Sequence, residues 1–313
     1  ALTDRSVVMT MALRHVPLRR TACIEDLRDR ARCRLPRMVF DYIDGAASGA
    51  LTAQRNRVAF ERCLLSQEIL TDVSVRSLRT TLFEQPVSMP VVVGPTGLNG
   101  AYWLHGDVCL ARAAAAEQVP FVMSTAACVG LDEMASQAGA SRWFQLYMMK
   151  DRAMVQALLA RVASRGFDVL QLTVDTAVAG RRNQDIRNGF TLPFRWTLSN
   201  LLDCARHPRW ALQMLRGGSP QLKLFAEVLG KAARGGTISE VMQQQLSSAF
   251  TWHDLAWLRK HWPGKLVLKG ISSAQQVRGA LGAGVDGVVV SNHGGRQLDG
   301  TAATLECLPQ VVE

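Results

Sequence analysis

The sequence lacks several features that would define a class of protein at once. It has no run of about 20 apolar residues, which excludes a helix that spans a lipid bilayer. Its seven cysteines are widely spaced, odd in number and never arranged as CxxC, which argues against a disulfide framework or a structural zinc site. The HExxH pattern of metal hydrolases is also absent. These absences predict a protein of a reducing, cytoplasmic compartment without a metal centre.

The remaining composition is that of an ordinary folded protein whose basic charge is unevenly placed. The 313 residues are 48% hydrophobic and 20% charged, and the length allows one large α/β barrel or two domains. Segment 181–250 holds ten Lys/Arg against four Asp/Glu. It has neither zinc-finger spacing nor an RNP-like aromatic pattern, so we expect an anionic lipid surface or an acidic partner rather than nucleic acid. Segment 1–20 lacks the order of a signal peptide and is predicted to be a loose basic tail.

One pattern recurs from residue 90 onward, namely a short apolar run followed by a helical stretch. The apolar runs are 91–94, 120–124, 142–147, 169–175, 265–269 and 286–291, and the helical stretches lie near 106–118, 131–138, 151–165, 252–262, 273–283 and 302–312. Such strand–helix units predict a parallel sheet. An open doubly wound sheet and a closed TIM (β/α)8 barrel compete, and the absence of GxGxxG after the first strand favours the barrel.

A barrel places its functional residues at the carboxyl ends of different strands. The predicted strands end in polar or small residues that could form such a site: Pro95, Thr96, Gly97, Ser124, Gln145, Tyr147, Thr173, Asp175, Lys269 and His293. Polar residues also occur where strands simply exit into solvent. A lysine directly after an apolar strand and a histidine in a glycine-rich loop are less easily explained in that way.

His293 is the best candidate for a catalytic base. Its glycine-rich loop can bring the imidazole close to a ligand, and the unperturbed pKa of histidine lies near physiological pH. Asp175, at another strand end, could orient the imidazole and stabilise its charged form. The alternative is a loop histidine that only caps a helix.

The other charged candidates suit an anionic ligand. Arg182 and Arg296 lie on different loops, and two guanidinium groups that converge on one cavity would bind a carboxylate. Lys269 ends a buried strand, so it should face an anion or an electron-rich ring. Tyr42 and Tyr147 could each donate a hydrogen bond. Surface ion pairs and ordinary packing are the alternatives for the arginines and the tyrosines.

Five segments resemble, in the same order, the FMN-dependent α-hydroxy-acid dehydrogenases and oxidases. They are DYIDGAASGALTAQRNRVAF, FQLYM, LTVDTAVAGRRNQDIRN, LVLKG and SNHGGRQLDG, the last of which is highly specific. The resemblance covers about 21–313. Segments 94–107 and 207–222 are most similar to the members that oxidise (S)-mandelate.

The resemblance implies FMN as the cofactor and a role for each candidate residue. Pro95, Thr96 and Gly97 would border the flavin, while Ser124, Gln145 and Thr173 would hydrogen-bond to its ring and Lys269 would lie at its N1/O2 edge. The substrate would be held by Tyr42, Tyr147, Arg182 and Arg296. His293, paired with Asp175, would accept the substrate proton. The expected reaction is oxidation of an (S)-2-hydroxy acid, with (S)-mandelate to benzoylformate as the first expectation. Quinone-linked oxidation of L-lactate and a non-catalytic remnant of the family are the alternatives. A membrane quinone as electron acceptor and a homotetramer are implied as well.

The sequence departs from the family pattern at its end. The pattern continues with two further strands whose loops hold the FMN phosphate, whereas this sequence stops at Glu313 after six strand–helix units. We therefore expect a barrel truncated after its sixth βα unit, with a long insertion after its fourth strand. Within that insertion, 190–250 mixes apolar and aromatic residues with arginines, which is typical of segments in a membrane interface. Peripheral binding to the inner face of the cell membrane is expected, and a basic helix that covers the barrel is the alternative.

Overall fold

The computed structural model of the protein describes residues 21–137, 139, 141–191, 194, 196–229 and 244–313. The predicted basic tail at 1–20 and the 230–243 part of the predicted membrane segment lie outside the described residues. Ahead of the sheet, the chain forms three helices, a small antiparallel hairpin and a one-turn helix: α1 (Ile24–Arg34), α2 (Arg37–Asp44), α3 (Leu51–Glu61), β1 (Thr80–Leu82), β2 (Gln85–Val87) and α4 (Asn99–Tyr102).

A five-stranded parallel sheet is the centre of the fold. Its strands are β3 (Phe121–Ser124), β4 (Arg142–Tyr147), β5 (Val169–Thr173), β6 (Lys265–Ile271) and β7 (Gly287–Val290), and they are adjacent in chain order. Helices accompany the strands: α5 (Gly106–Ala116), α6 (Leu131–Gln137), α7 (Arg152–Ser164), α12 (Trp252–His261), α13 (Ala274–Gly282) and α14 (Thr304–Val312). The α/β class and the parallel sheet are confirmed.

The first predicted strand, 91–94, is not a full strand. It makes only an isolated parallel bridge between Val93 and Phe121. Two hydrogen bonds hold it, from Val93 N to Pro120 O at 2.9 Å and from Val122 N to Val93 O at 3.0 Å. Pro90 and Pro95 flank the run, and proline has no backbone N–H with which to extend a ladder.

The two ends of the sheet differ in chemistry. Near the amino ends of the strands, Val122, Trp143, Val169 and Val267 form a small apolar cluster that Phe83 of the β1–β2 hairpin contacts. Buried polar side chains lie instead at the carboxyl ends of β3, β4 and β5. Because burial of polar groups requires hydrogen-bond partners, this carboxyl edge is where a site is expected.

Among the described residues between β5 and β6, four further helices precede α12. They are α8 (Asn183–Asn188), α9 (Leu198–Arg206), α10 (Pro208–Gly217) and α11 (Lys223–Leu229). Trp210 is only 1% exposed and donates from Nε1 to Ala101 O at 2.8 Å. This contact fixes α10 against α4, at the carboxyl edge of the sheet. No helix of the described residues is long and apolar enough to cross a membrane.

The amino-terminal helices are attached to the predicted His293 loop. Asp299 accepts hydrogen bonds from Gly49 N at 2.9 Å and Thr52 N at 2.8 Å, so it caps α3 from a distant part of the chain. The residue at the N-cap itself, Ala50, has no side-chain oxygen to do so. Asn292 and Asn56 exchange hydrogen bonds of 2.9 and 2.8 Å. Part of the 291–300 motif is therefore structural.

Replacement of Asp299 with alanine should lower the free energy of unfolding by about 1 kcal/mol, the usual effect of losing a helix cap. Backbone hydrogen bonds, first of all that from Thr52, lower the pKa of Asp299 below 3.8. Its stabilising contribution is therefore complete above that value and is lost as the pH falls through the folded-state pKa. Urea unfolding at neutral pH and at about pH 3 should show the cost of Asp299→Ala shrinking in acid. An equal cost at both pH values would contradict capping by the carboxylate.

Candidate active site

A connected set of buried polar side chains lies at the ends of β3, β4 and β5. Ser124 Oγ donates to Gln145 Oε1 at 3.1 Å, and Gln145 Nε2 donates to Thr173 Oγ1 at 2.9 Å. All three residues are buried. Since Thr173 accepts in this row, its own O–H can donate to a ligand. Parallel pairing of the strands brings these three predicted residues together.

The loop after β7 has an unusual backbone that positions His293. His293, Gly294 and Gly295 have φ values of 58°, 64° and 73°. A non-glycine residue in this region is strained, and such strain is common at functional sites. Glycine at 295 is also required by space, because a Cβ there would lie 2.5 Å from Ala53 N of α3. The packing of α3 thus fixes the loop.

His293 and Asp175 form a hydrogen-bonded pair. Nδ1 of His293 lies 2.9 Å from Asp175 Oδ1. Since a carboxylate can only accept, Nδ1 carries the hydrogen and Nε2 is left as the acceptor. This is the arrangement that a general base needs.

Gly270 makes room for this pair. It lies at an irregularity in the β6–β7 register with φ of +113°, and a Cβ there would come within 2.8 Å of the Asp175 Cβ. Lys269, the preceding residue, is half-buried, and burial lowers its pKa although the Asp175 charge opposes this. No ion-pair partner lies within 4.0 Å of its ammonium group among the residues that the structure describes.

Both predicted arginines contact one tyrosine. The guanidinium carbons of Arg182 and Arg296 lie 5.0 and 5.1 Å from the centre of the Tyr42 ring, a distance at which cation–π attraction operates. The Tyr42 ring also stacks on Phe190 at 4.4 Å. A single aromatic ring therefore organises two positive charges that come from different loops.

The two arginines differ in what their nitrogens do. Arg296 donates to three backbone carbonyls at the end of α2: Nη1 to Ile43 O at 3.0 Å and Gly45 O at 2.6 Å, and Nη2 to Tyr42 O at 2.8 Å. Arg182 Nη1 is buried without a hydrogen bond to any described residue, although it lies 3.4 Å from Asp185 Oδ2. Arg296 thus uses three of its five N–H donors on this helix end, whereas Arg182 Nη1 is a buried donor with capacity left for an anion.

All three tyrosines of the sequence lie near this charged group. Burial, with a further contribution from the Asp175 carboxylate, raises the pKa of Tyr147, so its hydroxyl stays protonated and can donate. Burial, and then the neighbouring Tyr42, likewise raise the pKa of Tyr102. Tyr102 was not among the residues predicted from the sequence, because it lies on α4 rather than at a strand end.

The loop 95–97 is tied down by a buried network. Thr96 Oγ1 donates to Asn99 Oδ1 at 3.0 Å, and Asn99 Nδ2 donates to Asp107 Oδ1 at 2.8 Å. Asp107 is 3% exposed, and burial raises its pKa. Gly97 packs so closely that a Cβ would lie 2.8 Å from the Cβ of Ala126, just after β3. The loop is therefore fixed beside the Ser124–Gln145–Thr173 row.

Comparison with known proteins identifies the family. A model of the FMN-dependent dehydrogenases matches residues 31–313. The (S)-mandelate dehydrogenase of Pseudomonas putida is 40% identical over 289 residues, which are 92% of this chain and 73% of that protein. An L-lactate dehydrogenase of Caulobacter sp. (strain K31) is 41% identical over 92% of this chain and 76% of its own length.

A solved structure is similar as well. The crystal structure of the monotopic membrane protein (S)-mandelate dehydrogenase superposes with a TM-score of 0.87 at 39% identity, covering 92% of this chain and 77% of that one. The chain belongs to the FMN-dependent dehydrogenase family. The family resemblance and the FMN dependence predicted from the sequence are thereby confirmed.

The residues present fit a flavin ring. Ser124, Gln145 and Thr173 present neutral hydrogen-bonding groups in one row, and Lys269 adds a cation without an ion-pair partner among the described residues. Such a set suits a planar ring that hydrogen-bonds along one edge and gains negative charge on reduction. The donors are thus of the kinds that this cofactor requires.

Proposed function

We propose that the protein oxidises an (S)-2-hydroxy acid to the 2-oxo acid, with His293 as the base. The observation that carries this proposal is the His293–Asp175 pair at the carboxyl edge of the sheet, beside a guanidinium group with unused donor capacity. When bound, FMN would take up the two electrons and one of the two protons that leave the substrate. His293 Nε2 takes up one proton as the C–OH group becomes a carbonyl, and Asp175 stabilises the resulting imidazolium.

The roles of the other residues follow from their chemistry. Pro95, Thr96 and Gly97 would border the flavin, while Ser124, Gln145, Thr173 and Lys269 would contact its ring. Arg182 would bind the substrate carboxylate, and Tyr42 and Tyr147 would donate hydrogen bonds to the substrate. Arg296 would act mainly by holding Tyr42, since three of its five N–H donors bond to carbonyls at the end of α2.

We propose (S)-mandelate as the substrate. Segments 94–107 and 207–222 support this, as does the similarity to the Pseudomonas putida (S)-mandelate dehydrogenase. The test is anaerobic mixing of the yellow, FMN-loaded protein with (S)-mandelate, (R)-mandelate and L-lactate, followed by flavin absorbance. We expect bleaching by (S)-mandelate with a kcat/KM at least comparable to that for L-lactate and no bleaching by the (R) form. A more than tenfold preference for L-lactate, on the order of what one pocket contact supplies, would contradict this choice.

L-lactate is the second candidate substrate. Several L-lactate dehydrogenases are as similar to this chain as the mandelate enzyme, at 37–41% identity. The same mixing experiment decides between the two acids, because both would use the same base and the same guanidinium group.

We infer that the parallel sheet is part of a TIM barrel to which the chain contributes six βα units, with a long insertion after the fourth strand, between Asp175 and Lys265. The family resemblance supports a membrane quinone as electron acceptor and a homotetrameric assembly.

We further propose that 190–250 binds the membrane surface. On α9 and α10 the buried side chains are Cys204 and Trp210, while Leu201 and Leu215 are 50% and 83% exposed. Arg206, Arg209 and Arg216 lie among these exposed apolar residues. Exposed apolar side chains flanked by arginines are what an interfacial segment presents to anionic lipid. The similarity to a monotopic membrane protein supports this proposal.

Vesicle flotation tests the membrane proposal. The double variant Leu201→Glu and Leu215→Glu should lower partitioning onto phosphatidylcholine vesicles that contain phosphatidylglycerol by about tenfold or more, because two apolar contacts are replaced by two repelled charges. The matched control is Leu64→Glu with Leu65→Glu, at positions that are 92% and 97% exposed but lie outside the segment. Equal flotation of both double variants would refute the proposal.

A further inference from the structure

Tyr102 is held in place from several sides. It is the last residue of α4, and Leu98 N, at the start of that helix, donates to Ala126 O at 3.0 Å. Trp210 of α10 donates to Ala101 O at 2.8 Å. The backbone that carries the Tyr102 side chain is therefore fixed both to the end of β3 and to α10.

The Tyr102 side chain lies between two parts of the candidate site. Its hydroxyl donates to Gly97 O at 3.2 Å, on the loop proposed to border the flavin. Its ring lies 6.3 Å from that of Tyr42, the residue whose ring both guanidinium groups contact. The charges of Arg296 and Arg182 act on its hydroxyl and oppose the effect of burial, which raises its pKa. The ring thus lies between the cofactor side and the anion-binding side.

We propose that Tyr102 is a specificity-determining residue whose ring limits the size of the group that a 2-hydroxy acid carries on its Cα. This inference depends on the proposed function and assigns the residue a part in it. A substrate held by its carboxylate at Arg182, with its Cα toward the flavin, must place its remaining substituent beside these two anchors. Tyr102 occupies space between them, and the fixed backbone of α4 together with the neighbouring Tyr42 ring keeps its ring in place.

Two properties of Tyr102 can be separated by substitution. Tyr102→Phe keeps the ring and removes the hydroxyl, whereas Tyr102→Leu removes much of the ring volume. If the ring sets the size of the pocket, the leucine variant changes selectivity and the phenylalanine variant does not. If Tyr102 only holds Gly97 in place, both variants weaken binding, and they do so equally for all substrates.

The experiment measures binding and turnover in the FMN-loaded protein. Phenylacetate and propanoate serve as inert ligands that match mandelate and lactate in size, and calorimetry gives their Kd values. In Tyr102→Leu we expect the Kd ratio of propanoate to phenylacetate to rise about tenfold, the scale on which a cavity in a pocket discriminates. The kcat/KM ratio of (S)-mandelate to L-lactate should rise by a similar factor. In Tyr102→Phe both ratios should stay within about threefold of the wild-type values.

The outcomes are decisive in each direction. Unchanged ratios in Tyr102→Leu with FMN retained would overturn the proposal, and so would equal changes in the two variants. Should Tyr102→Leu lose FMN, Tyr102→Met, whose longer unbranched side chain of similar volume adapts more easily to its neighbours, replaces it and is judged by the same ratios. Absence of turnover in every protein together with a shifted Kd ratio would refute the proposed function while leaving Tyr102 as a wall of the pocket.

Discussion

Substitution of His293 with glutamine is expected to lower kcat/KM for the 2-hydroxy acid by about 10²- to 10⁴-fold, the range usual for loss of a general base. Glutamine is similar in reach and can still bond to Asp175, but its amide cannot accept a proton at neutral pH. The binding of FMN should be unaffected, because His293 bonds to Asp175 rather than to the Ser124–Gln145–Thr173 row.

Stopped-flow reduction of the flavin measures this loss directly. His261→Gln is the matched control, since the ring of His261 bonds to the carbonyl of Trp257 at 2.8 Å and lies on α12, away from the pair. It should retain activity within about twofold. Near-normal flavin reduction in His293→Gln would show that another group accepts the proton.

Much of the sheet could be predicted because its residues follow strong local patterns. The 3.6-residue period of α7 and the continuous apolar runs of β4 and β5 give their ends to within two residues. Parallel strands that are buried on both faces need such runs. The short elements could not be predicted in this way. The β1–β2 hairpin is positioned by the contact between Phe83 and Trp143, and the 91–94 run is limited by its flanking prolines, which have no N–H to donate.

The candidate site was predictable only where function coincides with strand ends. That rule found Ser124, Gln145 and Thr173, which the parallel strands bring together. It also found Asp175, which follows β5 and bonds to His293. It missed Tyr102, which reaches the site from a four-residue helix. The sequence contains only three tyrosines, and the other two were already candidates, so the rarity of this residue type was a signal that pointed to Tyr102. Nor can a sequence tell which way a guanidinium fork points, so the different roles of Arg182 and Arg296 became visible only in the structure.

The second large effect is expected at Arg182. Its Nη1 is buried and makes no hydrogen bond to a described residue, so a bound carboxylate would supply the partner that this nitrogen lacks. Loss of one member of a buried, hydrogen-bonded charge pair costs about 2–5 kcal/mol. Arg182→Met should therefore lower kcat/KM by about 10²-fold or more, and Arg182→Lys should restore only part of it, because an ammonium group cannot form the planar fork.

Arg296 provides the comparison that makes this prediction specific. Its nitrogens donate to Tyr42, Ile43 and Gly45 carbonyls, so Arg296→Met should release the end of α2 and lower the free energy of unfolding by about 1.5–3 kcal/mol. Arg182→Met also removes an ion pair, with Asp185 at 3.4 Å, and the contact with the Tyr42 ring, so it too should lower stability; what separates the two variants is the loss of phenylacetate binding, which should be large only in Arg182→Met. Urea unfolding and the Kd of phenylacetate, measured on both variants, test the division of roles. If Arg296→Met weakened phenylacetate binding as much as Arg182→Met did and left stability unchanged, both guanidinium groups would have to contact the carboxylate directly.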